Sequence, residues 1–201
     1  MMRRQLWTDA LHAAGVLFAA CVLLSGCTGS SPVTRFYTLS PAAAPVAADA
    51  RSPLTVVIGA VSLPDGMDRP QIVLRGAGSQ VTFSEFERWL GSPKDEVALA
   101  VAGGLKQALG SASVFAGPLS TGMSADVIVL LHVQRFDSAL GDAATVEAAW
   151  QVLPAKGAPK SGHSSVREPA GGPGYDALVA AHGRALAAVS RDIATAIRAS
   201  R

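Results

Sequence analysis

Two thiols, Cys21 and Cys27, are the first groups in this 201-residue chain that could do chemistry, and their surroundings separate them. Cys21 lies inside an apolar run, whereas Cys27 follows Leu24-Ser25-Gly26. Small residues before a cut let a backbone enter a peptidase cleft in extended form, and a cysteine directly after the cut offers its thiol for diacylglycerol transfer. Other chemistry would need a nucleophile with its base, or a set of metal ligands. The sequence contains no GxSxG, HExxH, CxxC, P-loop or GxGxxG pattern. His12 belongs to the N-terminal segment, and His132, His163 and His182 are each isolated from any carboxylate at ligand spacing. His182 falls on an apolar helical stripe, which reads as a hydrogen-bonded core histidine. Glu85 and Glu87 could be a catalytic carboxylate pair, but they stand in Ser84-Glu85-Phe86-Glu87-Arg88-Trp89, where charges alternating with aromatics more often make a surface that covers something. The expectation is no enzyme, no cofactor and no metal.

The elements around Cys27 explain why its thiol stands out. Arg3 and Arg4 give a basic start, and Ala13 to Leu24 is an apolar run too short for the roughly 20 residues a membrane span needs. Leu24-Ser25-Gly26-Cys27 at its end resembles the lipobox of bacterial lipoproteins. Residues 1–26 are then a removable export signal, 27–34 a lipidated tether, and 35–201 a single domain of ordinary length. Cleavage removes Arg3, Arg4 and Asp9 and leaves 15 basic against 14 acidic side chains, so lipid rather than charge must anchor the protein. Each buried methylene contributes about 0.8 kcal/mol to that anchoring. Thr28, in place of the aspartate that retains enteric lipoproteins in the inner membrane, favours the outer one. With Cys27 the sole thiol left, no internal disulfide can form. The basic residues are scattered, which leaves no stripe to follow a nucleic-acid backbone.

Beyond the tether the hydrophobic pattern changes period several times. Arg35 to Leu39 is β-prone, and Pro41 to Pro53 is an Ala/Pro linker. Leu54 to Val61 is a nearly unbroken β-branched run, the pattern of a central strand buried on both faces. Gln71 to Arg75 and Gln80 to Phe83 flank Gly76-Ala77-Gly78 as a hairpin. Ser92-Pro93 then predicts a helix start with Ser92 as N-cap, Asp95 and Glu96 against the dipole, and Gly110 as the stop. Gly103-Gly104 inside that helix suggests close packing on a sheet. Ser113 to Phe115 is a short strand, and Ala125 to Phe136, Thr145 to Leu153 and Ser161 to Arg167 read as an antiparallel meander. Tyr175, Leu178, Val179, His182, Leu186, Val189, Ile193 and Ile197 complete a last, strongly amphipathic helix. Two helices with one apolar face each must cover a sheet. The expected fold is therefore α+β: a mixed, mostly antiparallel sheet with two amphipathic helices packed on one face.

Several of these segments together resemble a known family. Arg35-Phe36-Tyr37-Thr38-Leu39 after a lipobox, Val61-Ser62-Leu63-Pro64, Asp68-Arg69-Pro70-Gln71-Ile72-Val73 and Phe86-Glu87-Arg88-Trp89 are similar to the PqiC family, the membrane-integrity-associated auxiliary lipoproteins of ABC-type transport systems. Gly66 departs from the bulkier residue that family often carries there. The resemblance implies a non-catalytic periplasmic lipoprotein, anchored to the outer membrane. Its implied partners are a mammalian-cell-entry (MCE) domain protein and an inner-membrane transporter component, with which it would move lipids between the membranes. The alternative is a structural or assembly lipoprotein of another envelope machine. Arg and Trp favour interface centres, so the working surface is expected at Asp68, Arg69, Pro70, Gln71, Arg88 and Trp89, facing a partner or a second copy in a homo-oligomeric ring. An ordinary loop with a capping Asp68 is the competing account of the first four.

Overall fold

A computed structural model describes residues 32–39, 54–111, 113–118 and 124–200. The export signal, Cys27 and the Ala/Pro linker lie outside the described residues. Thr34–Arg201 forms one compact unit.

The longest apolar alternation becomes the spine of the sheet. We number its strands β1 (Arg35–Tyr37), β2 (Val56–Ser62), β3 (Gln71–Arg75), β4 (Val81–Trp89), β5 (Val114–Ala116), β6 (Val127–Ala139), β7 (Ala143–Pro154) and β8 (Lys160–Pro169). The helices are α1 (Pro93–Leu109) and α2 (Tyr175–Ala199). One edge of β6 carries the antiparallel meander β6–β7–β8, with Val127↔Pro154 and Ala139↔Ala143 at its ends. The other edge is shared: β2 pairs in parallel with the first half of β6, and β3 joins it farther along at Leu74↔Ser138. Beyond β2 lies parallel β5, beyond β3 antiparallel β4, and beyond β4 parallel β1. Four of the seven pairings are thus parallel, although the long ladders are antiparallel. The Leu54 run, expected at the centre, is flanked on its outer side only by three residues of β5. β6, the longest strand at 13 residues, takes the central place by serving two neighbours end to end on one edge.

Side-chain alternation decides which face the helices cover. Val127, Val129, Leu131 and Val133 of β6 point inward with Val146, Ala148 and Val152 of β7, and meet Leu186, Val189, Ile193 and Ile197 of α2. A register shift between Val133 and Arg135 returns Phe136 to the inner face. Helix α1 contributes Val97, Val101 and Leu105 to the same core. Both helices therefore lie on one face of an α+β sandwich, as expected, and among the described residues the other face of the sheet carries no helix.

Three local expectations are modified. Gly110 ends α1 in the left-handed region (φ 60°), as its lack of Cβ allows. Ser92 occupies the N-cap position without a side-chain capping bond, and its hydroxyl donates to Asp68 Oδ1 at 3.4 Å instead. The close approach at Gly104 is to the other helix, not to the sheet: a Cβ there would lie 2.5 Å from Ser190 Oγ and 2.7 Å from Ser190 Cβ of α2, while Gly103 faces open space.

Candidate interaction surface

The wing formed by β3, β4 and β1 collects the residues that the sequence singles out and divides them between two faces. On the inner face, Trp89 is 4% exposed, with its ring 6.2 Å from Phe136 and 6.4 Å from His182. Expected as an interface anchor, Trp89 is a core residue. Its N–H donates to the Pro70 carbonyl at 2.7 Å, which fastens the loop before β3 to the end of β4. Glu87 shares that inner side: it accepts from Tyr37 Oη at 2.6 Å and from Arg35 at 3.1 Å. Burial, and then the bond to Glu87, raise the Tyr37 phenol to a pKa of about 12. Ser84 meets Tyr175 Oη of α2 at 2.6 Å. Glu87 is thus engaged structurally and Glu85 is exposed.

Asp68 works within its own domain. Its Oδ2 lies 2.6 Å from Lys94 Nζ at the first turn of α1, and the hydrogen bond to Asp68 raises the Lys94 pKa above its usual value. This ion pair and the bond from the Ser92 hydroxyl tie Asp68 to the start of α1. Pro70 is exposed.

The outer face brings the remaining expected residues together. Gln71 is in register with Arg88, and Arg88 with Phe36, so the three form one cross-strand row. Val73 is in register with Phe83, and the Arg69 guanidinium lies over the Phe83 ring, 4.1 Å from its centroid. Arg69 Nε is buried with no hydrogen-bond partner. Holding a desolvated guanidinium nitrogen unpaired is costly, and the ring beneath offsets part of that cost by cation–π attraction. Arg88 Nε donates to the Glu85 carbonyl at 3.2 Å.

Aromatic placement marks this face most clearly. Beyond Cys27 the chain has five phenylalanines, and only Phe136 is in the core; Phe36, Phe83, Phe86 and Phe115 are exposed. Phe115, Val57 and Ile128 make a second apolar row on the outer side of β5, β2 and β6. Scattered exposed apolar side chains are ordinary, whereas these phenylalanines cluster on the sheet face opposite the two described helices. Phe36, Phe83 and Phe115 escaped the sequence reading because short strands of three to nine residues do not show which face is covered.

The histidines hold structural positions. His182 is fully buried, its ring stacked 4.1 Å from Phe136 and its Nε2 2.8 Å from Ser138 Oγ. Burial lowers its pKa to about 3, so the ring is neutral. Exposed His132 holds Ser62 Oγ at 2.6 Å through Nδ1. Asp137 is nearly buried: burial works to raise its pKa, but the hydrogen bonds from Arg75 (2.8 Å) and Arg135 (2.5 Å) outweigh it and hold the carboxylate below its usual value. Among the described residues no group of three or more His, Cys, Asp or Glu could hold a metal ion, and no helix is long and apolar enough to cross a membrane.

The model of the ABC-type transport auxiliary lipoprotein component family matches residues 37–194, and the chain belongs to that family. It is thus a transport-associated lipoprotein. No curated protein matches the chain. Among solved structures, an uncharacterised protein superimposes with a TM-score of 0.64 at 16% identity, covering 83% of this chain and 99% of its own. A protein from Xanthomonas campestris does so with a TM-score of 0.55 at 20% identity, covering 70% of this chain and 81% of its own. At these identities the likeness is one of fold.

Proposed function

We propose that this protein is a non-catalytic subunit of the PqiC type. Lipid on Cys27 holds it to the periplasmic side of the outer membrane, and it works with an MCE-domain protein and an inner-membrane transporter component in moving lipids between the two membranes. The observation that carries the reading is the outer wing, where Arg69 over Phe83, with Gln71 and Phe86 alongside, stands on the sheet face opposite the two described helices. Arg paired with an aromatic ring favours the centre of a protein interface, because each buries a large area and Arg adds directional hydrogen bonds. A non-catalytic role fits the polar groups of the interior, since His182, Glu87 and Asp137 are each committed to bonds within the fold.

A photoreactive residue at position 83 of the full-length protein in its own membranes tests the reading, with the same residue at exposed Leu99 on α1 as control. Cross-links from position 83, and not from 99, to an MCE-domain or inner-membrane transporter protein are expected. Cross-links from position 83 only to components of a pilus or secretion machine would replace this reading with that of an assembly lipoprotein.

A further inference from the structure

The two most exposed large apolar side chains of the Thr34–Arg201 unit stand together: Leu90 is 68% exposed and Phe36 60%. Phe36 is the middle residue of β1. Leu90 follows β4, and its N–H donates to the Tyr37 carbonyl at 2.8 Å, which places it at the end of β1. Phe36 and Arg88 are direct cross-strand neighbours, and Leu90, two residues beyond Arg88, continues the same side. An edge strand of three residues bearing such side chains needs something to rest against, since exposed apolar edges are otherwise an association hazard.

The chain that leads into this edge says what that is. Cys27 is eight peptide steps before Arg35, so an acyl group on its thiol can be no farther than about 28 Å from β1. The anchored end of the domain is therefore this edge, and no other part of the wing is tied so closely to a bilayer. Phe and Leu flanked by Arg are the side chains that settle at a headgroup boundary, with the apolar groups entering it and the cations at phosphate level. We infer that the β1 edge is a membrane-contact edge: Phe36 and Leu90 enter the headgroup region of the bilayer that holds the Cys27 lipid, with Arg88 beside them at phosphate level. The lipid then fixes the orientation of the domain as well as its location. This inference rests on acylation of Cys27.

A fluorophore on single introduced cysteines tests it in the full-length, lipidated protein, because Cys27 is the only thiol beyond the signal and its lipid blocks it. Phe36→Cys and Leu90→Cys report on the edge, and Leu140→Cys, exposed in the turn between β6 and β7, is the control. The exposed positions leave folding intact. In vesicles of phosphatidylethanolamine and phosphatidylglycerol, quenching by aqueous iodide should be several-fold weaker at positions 36 and 90 than at 140. Nitroxide-labelled lipid should quench the first two and not the third. If the protein floats with the vesicles but all three probes are equally open to iodide, the membrane-contact edge is wrong while the anchor stands. If positions 36 and 90 become shielded only when a transporter subunit is added, the edge is a protein interface and the inference falls. If the protein does not float with the vesicles at all, both the anchor and the inference fall.

Discussion

Two adjacent glycines in α1 should respond to the same substitution with opposite signs. Gly103→Ala meets nothing within 4 Å, so its effect is that of helix propensity alone, a stabilisation of about 0.8–1 kcal/mol. Gly104→Ala gains the same propensity but places its methyl 2.7 Å from Ser190 Cβ. Rotating the hydroxyl cannot relieve that contact, because Cβ is fixed to the α2 backbone, and rotation would also break the bond from Ser190 Oγ to the Leu186 carbonyl at 2.8 Å. Forcing packed elements apart costs about 1–3 kcal/mol, which leaves Gly104→Ala destabilised by up to about 2 kcal/mol after the propensity gain. Urea unfolding of the two single variants, with unchanged m-values, measures the difference. Gly104→Ala combined with Ser190→Gly removes the clash and should recover part of the loss, reduced by the helix cost of the new glycine. Equal stabilisation by both alanines would refute the helix-on-helix contact.

Trp89→Ala should lower stability by about 3–5 kcal/mol, the range for truncating a core aromatic, whereas a surface residue would shift it by less than about 0.5; urea unfolding of the full chain distinguishes the two. Stability should also fall on acidification through His182. Its folded pKa of about 3 lies below the unfolded value of 6.5, so the unfolded chain binds the extra proton between those values. The loss begins near pH 6.5 and reaches about 2 kcal/mol by pH 5, and His182→Phe should flatten the pH dependence over that window; an unchanged slope would contradict the buried neutral ring. Asp137 acts at lower pH, because its depressed carboxylate contributes above the unfolded carboxylate pKa and is lost only as pH falls through the folded value, so Asp137→Asn should alter acid stability below about pH 4. Denaturant midpoints measured across that range decide the last two.

Legibility in the sequence followed the strength of local signals. The apolar stripe of α2, the Pro93 start and Gly110 stop of α1, and the alternation of β6 and β7 each exceed three turns or ten residues and carry their own periodicity. Pairing order was not legible. That β2 and β3 share one edge of β6 depends on the relative lengths of strands far apart in the chain. The candidate surface was half legible. In Phe86-Glu87-Arg88-Trp89 the alternation shows two faces, but charge alone suggests that Trp89 lies outward with its neighbours. Glu87 can stand on the inner side because Tyr37, 50 residues earlier, donates to it. The irregular pairing between Gln71 and Val73 adds a shift in β4 that no local pattern announces. Glu96 behaves similarly: it looks like a helix-dipole residue, yet its buried carboxylate accepts from Thr38 at 2.7 Å and from the Leu39 N–H at 2.8 Å, clamping the end of β1. Arg69, Gln71 and Arg88 were legible as a cluster because they stand near one another in sequence and fold onto adjacent strands.

Co-purification of the tagged full-length protein from detergent-solubilised membranes tests the account most directly. The wild-type protein should bring down an MCE-domain protein and an inner-membrane transporter component, and Arg69→Glu and Phe83→Ser should each abolish that recovery while the melting temperature stays within a few degrees. Undiminished recovery with both variants, or a wild-type protein that brings down neither partner, would contradict it.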